Sequence, residues 1–195
     1  MDIIKTVQAI GGTDMLVLLG LAAMFVLGFV QGIVRRLFGI AAMLVALVLA
    51  AQLRDPVGSF LAANWGQFPR EYGYMVGFLA MFVAGVVGTT VAIQWFYRPA
   101  QLFRSYHLLE QVIAGLLGMV QGLVLIGAFL LISDPYYTTA GATEVGGELT
   151  VIRTVHAALA DSATGEAFRH SLLPPFVAIA GWFLPAAVRD AFPSR

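Results

Sequence analysis

Between Met15 and Leu53 the chain carries only two charged residues, the neighbours Arg35 and Arg36. A single helix over that run would extend about 58 Å at ~1.5 Å per residue, about twice the hydrocarbon thickness of a bilayer. The chain must therefore fold back, and the paired arginines mark the expected turn. Two spans follow, at 14–34 and 37–53, joined as a tight hairpin. Composition points the same way. Hydrophobic residues make up 59% and charged residues 11%, with a mean hydropathy of +0.86, whereas soluble domains average roughly 25% charged. Only Lys5 precedes the first run and the arginines follow it, so it reads as a retained span rather than a cleaved signal.

A third span is expected over 73–97. A fourth, over 111–133, is closed by Asp134-Pro135. Residues 54–72 contain two prolines and an amphipathic middle with Phe60, Leu61 and Trp65. That composition predicts a loop lying on the membrane surface, with Trp65 and Tyr72 at interface depth. Residues 98–110 read as an amphipathic connector, with Leu102, Tyr106 and Leu109 at helical spacing. After a turn-rich stretch over 135–148, Leu149, Ile152, Val155 and Leu159 line one predicted helix face. The apolar run Leu172–Leu184 is too short to span and contains Pro174-Pro175, so it is expected at the interface. The fold class is all-α. It is a polytopic membrane protein with four transmembrane helices in two hairpins, over 1–134, plus a membrane-surface tail of amphipathic helices over 135–195.

Lysines plus arginines equal aspartates plus glutamates at eleven each, which leaves no basic footprint for nucleic acid. Near the spans, Arg35, Arg36, Arg98 and Arg104 outnumber Lys5, Arg54 and Arg70 on the opposite side. The expected orientation therefore has cytoplasmic hairpin connections and extracytoplasmic termini. Cysteine is absent, which removes disulfides and thiolate metal sites.

Two pentapeptides stand out: Gly28-Phe-Val-Gln31-Gly32 and Gly118-Met-Val-Gln121-Gly122. Glycines four residues apart clear one helix stripe for a second backbone. The amides need partners, because an unpaired polar group in hydrocarbon costs several kcal/mol. Spans 1 and 4 are expected to cross here, with Gln31 and Gln121 each hydrogen-bonded. Two readings of the amides stay open: bonds that specify helix geometry, or the lining of a polar path. On the first reading, Gly122→Leu would damage assembly, whereas Gln121→Leu would be nearly neutral for stability.

Little in the sequence points to chemistry. His107, His156 and His170 are scattered without metal-ligand spacing and read as surface histidines. His170-Ser171 with Asp161 lacks a nucleophile elbow, and no phosphate-binding glycine loop is present. The expectation is no enzyme, no cofactor and no metal. Asp14, Glu110 and Asp134 sit at span ends, and only Gln31, Thr89, Thr90, Gln94 and Gln121 lie deeper. That pattern argues against proton coupling within one protomer.

Asp14 before span 1, Gly28-x-x-Gln31-Gly32 near its end, and Glu110-Gln111-x-x-Ala114-x-x-x-Gly118-x-x-Gln121-Gly122 in span 4 resemble the colicin V production protein (CvpA) family. In the tail, Ser171-x-Leu173-x-Pro175 is similar to that family's S-x-L-x-P. Gln31 and Gln111 stand where the family commonly has arginine, and Glu110 and Ala114 replace aspartate and glycine. A charge-dependent role of those arginines would not be preserved here. The resemblance implies a multi-pass bacterial inner-membrane protein linked to colicin V production or secretion. Two functional expectations follow. One is a non-enzymatic scaffold or assembly factor, partnered by the bilayer and by other membrane proteins or itself. The alternative is a channel or transporter component whose polar path forms between protomers.

Overall fold

The computed structural model describes residues 11–96, 107–139, 149–172 and 174. All of its regular structure is helical. Four long helices, α1 (Gly12–Gln31), α2 (Ile33–Asn64), α3 (Arg70–Phe96) and α4 (His107–Asp134), run back and forth. Each is long and apolar enough to cross a membrane. A wider π-helical turn, Pro135–Thr139, continues α4. The tail then supplies α5 (Thr150–Ala160), the short α6 (Ala163–Ala167) and a second π-helical turn, Phe168–Leu172.

The first reversal occurs at Gly32, not at the arginines. Gly32 has φ +81° and ψ 163°, and its N–H still bonds the Gly28 carbonyl. A side chain is strained in that region of backbone space, so the break falls at the glycine. Arg35 and Arg36 consequently lie inside the first turn of α2. The second helix is also longer than expected. It runs unbroken through Pro56 to Asn64, so residues 54–64 extend the span and do not form a surface loop. An interior proline costs ~3 kcal/mol or more. Here the distal part is held from outside, because Gly58 lies directly against the ring and backbone of Tyr74 on α3. The actual link is short, 65–69, and carries Trp65 and Phe68 in edge-on contact.

Helices adjacent in sequence do not pack equally. Antiparallel α2 and α3 lie together along their length, with Gly58 near Tyr74 and Gly77, and Ala46 against Gly85. By contrast, α1 leans on α4 and touches α2 little. The two pairs join where α2 meets α4, over a core that includes Leu47, Ala50, Phe78, Phe82, Leu130 and Leu131. This core is concentrated in the half that bears the tail. Outward faces of α1 and α3 remain apolar, including Leu19, Val26, Val83 and Val87, as a lipid-facing surface requires.

The tail departs from its expected stripe. Leu149 and Val155 are exposed, and Ile152, His156 and Leu159 make the inward face of α5. Tyr72, near the start of α3, is packed inside the protein and is 1% exposed. Residues 98–106 of the predicted connector lie outside the described residues, as do 140–148 and, apart from Leu172 and Pro174, the run to Leu184. Leu109 and Glu110 belong to α4 itself.

Candidate functional sites: two buried polar centres

One centre forms where the tail meets the span ends. Asp134, the last residue of α4, is 4% exposed. Its Oδ1 accepts from His156 Nε2 at 2.8 Å and from Arg169 Nη2 at 2.8 Å, and its Oδ2 accepts from Arg169 Nε at 3.0 Å. An ionised carboxylate only accepts, so His156 carries its proton on Nε2 in this arrangement. The forked pair with arginine is the strong, directional kind of charge-assisted bond. Its bonds to Asp134 hold the Arg169 guanidinium above its ordinary pKa, against the opposing effect of burial.

Aromatic rings extend this centre. Tyr137 stacks on His156 at 4.6 Å, Tyr136 meets Tyr137 edge-on, and Tyr72 lies 5.6 Å from Tyr136. The Tyr72 hydroxyl accepts from the Leu149 N–H at 2.9 Å, just before α5 begins. At the start of α1, Asp14 accepts from both the N–H (2.9 Å) and the hydroxyl (2.6 Å) of Thr164. Asp14 thus caps α6 from another helix, while Ser162 Oγ caps it locally by accepting from Gly165 N–H. Two of the three carboxylates expected at span ends, Asp14 and Asp134, are therefore buried anchors for the tail.

His156 is a correction to the surface reading, being 6% exposed. The signal was present in sequence, since Ile152, His156 and Leu159 follow i, i+4, i+7 spacing with the histidine inside the stripe. His170 and Ser171 are exposed on the last turn, whereas Leu173 and Pro175 lie outside the described residues. Ser162 is committed to capping, its Oγ also donating to the Leu159 carbonyl. Among the described residues no cluster of histidines and carboxylates is arranged to hold a metal.

The other centre lies about 20 Å away along α4, by the rise of 13 residues. It begins with the glycine seam. A Cβ on Gly28 would overlap the Ala114 carbonyl, one on Gly118 would overlap the Met24 carbonyl, and Gly118 sits against the Gly28 Cα. Ala114 and Gly115 thus face Gly28, while Gly122 meets only the side chains of Leu21 and Met24. Gly32 takes no part in the seam, since a Cβ there would meet nothing within 4 Å. Glu110 is buried in the first turn of α4, where negative charge suits the helix dipole.

Gln121 does not take its partner from span 1. Its Oε1 accepts from Arg36 Nη1 at 2.5 Å, and Gly39 leaves room for the amide, whose Nε2 would lie 3.0 Å from a Cβ there. Arg36 is 5% exposed. Gln31, Arg35, Arg36, Thr90 and Gln121 line one cleft of about 220 Å³ between the helices. The two amides share a polar cleft built around an arginine that the sequence placed in a turn.

This partner reverses one expectation. Gln121→Leu removes the acceptor of a buried guanidinium, and an unsatisfied charged donor costs more than a neutral one. A loss of about 2 kcal/mol is expected in reversible unfolding in detergent. Wild-type stability in that variant would return Gln121 to the role of inert filler.

The family model described as Colicin V production protein matches residues 13–146 of the chain. No curated protein and no solved structure matches it.

Proposed function

Because the chain belongs to the colicin V production protein family, we propose that it is a non-enzymatic scaffold of the bacterial inner membrane. In this role it supports toxin production or secretion, and envelope upkeep, through helix–helix contacts. The carrying observation is how its buried polar groups are used. Asp134 binds α5 and the turn after α6, Asp14 caps α6, and Gln121 ties α4 to α2. Each holds one element on another, which supports a structural role for these groups. Beside them, α1 contacts chiefly α4 and leaves Leu19, Val26 and Val30 outward, 66%, 59% and 77% exposed. Such a face suits a neighbouring membrane helix as well as it suits lipid.

The absence of cysteine makes the test direct. Leu19→Cys and Val26→Cys in otherwise native protein are expected to cross-link in membranes to a second helix-bearing protein or a second copy. Gly66→Cys, at an exposed position with open space around it, is expected to label only from the extracytoplasmic side. Failure of every α1 cysteine to cross-link, together with ion conduction by purified protein in planar bilayers, would favour the channel alternative. Labelling of position 66 only from the cytoplasm would reverse the orientation.

A further inference from the structure

The cleft at Arg36 holds concentrated positive charge, and no carboxylate lines it among the described residues. Arg35 and Arg36 occupy the third and fourth positions of α2, whose first turn contains no acidic residue. Helix N-termini carry about half a positive charge and favour anions, so two arginines there run against the dipole. Gly32 supplies no side-chain cap either, which leaves the first N–H groups of a 32-residue helix without that acceptor. Independently, the Nε of Arg36 is buried and has no hydrogen-bond partner among the described residues. A buried, incompletely satisfied cation is costly. All of these features call for the same thing, an anion with several acceptor oxygens.

We propose that this cleft binds a phosphate oxyanion, gripped by Arg36 and Arg35 and flanked by the neutral donors Gln31 and Thr90. The space suffices, since about 220 Å³ compares with ~30 Å³ for a water in the liquid. Guanidinium forks match phosphate geometry in two-bond pairs. The favoured source is a phospholipid headgroup. The site lies at the end of the spans, and Leu27 and Leu37, on either side of the helix break, are 48% and 50% exposed. Acyl chains can follow those side chains while the phosphate remains in the cleft.

The test uses the full chain in an uncharged detergent, with the thermal midpoint followed by tryptophan fluorescence. It is titrated separately with dioctanoyl phosphatidylglycerol, with dioctanoylglycerol and with inorganic phosphate. A saturable rise in midpoint is expected with the phospholipid and none with dioctanoylglycerol, which has the same chains without the phosphate. Arg36→Gln and Arg35→Gln should each weaken the apparent affinity at least tenfold. Should Arg36→Gln fail to fold, Arg35→Gln carries the test, because Arg35 is only partly buried. An equal rise with inorganic phosphate at the same concentrations would support the site and make its ligand a free anion. No rise with either phosphate compound, or a rise undiminished in Arg35→Gln, overturns the proposal.

Discussion

Asp134→Asn is expected to release the tail and to destabilise the protein by roughly 3 kcal/mol, at the lower end for a broken buried ion pair. The side chain keeps its size but loses its charge and one acceptor oxygen, so its NH2 group must face a donor of His156 or of the Arg169 fork. Because the tail also docks through Leu159 and Phe168, which are 7% and 3% exposed, the helices should survive while their docking weakens. Limited trypsin digestion reads this directly, since Arg153 and Arg169 are both in the tail and undocking exposes them. Arg169→Met should cost less, as its side chain is 28% exposed. The double variant should cost less than the sum, since residues in one network are coupled by about 0.5–3 kcal/mol. An unchanged tryptic pattern and unfolding midpoint in Asp134→Asn would show that apolar packing alone holds the tail.

Gly118→Ala tests the opposite half of the molecule. One methyl group there meets the Met24 carbonyl, a backbone atom that cannot rotate aside, and Gly28 crowds the same point. Relief requires α1 to move away from α4 along the whole seam. Overpacking costs typically 1–3 kcal/mol, and the upper end is expected because the obstacle is backbone on both sides. Gly28→Ala should behave alike. Gly122→Ala should be milder, for its nearest neighbour is the Leu21 Cδ2 at 2.9 Å, the end of a flexible side chain. Gly20→Ala, on α1 with nothing within 4 Å, is the control for helix propensity and should fold normally. Thermal unfolding of the four variants in detergent ranks them, and a Gly118 variant no worse than the Gly20 control would remove the seam.

The seam shows where local reading succeeds and where it stops. Gly28, Gly118 and the pairing of α1 with α4 follow from small residues four apart in apolar helices, a pattern visible in one dimension. Which glycines carry the contact depends on rotation and offset. Those place Ala114 and Gly115 opposite Gly28 and leave Gly32 out of the contact. Gly32 performs a different task, and its φ of +81° is known only once the chain path is known.

Hydrophobic runs longer than a bilayer determined the four spans by themselves, since backbone polar groups in hydrocarbon must be satisfied within a helix. Glycine spacing likewise determined which two helices could approach closely. Tertiary structure decided the rest. It carried α2 through Pro56 because α3 packs against Gly58, and it buried Arg36 beside Gln121. It also joined Asp134 to His156 and Arg169, which are 22 and 35 residues away. The physical reason is range. Hydrophobic length and helix periodicity are properties of neighbouring residues, whereas a buried charge is tolerated only where distant elements bring it a partner.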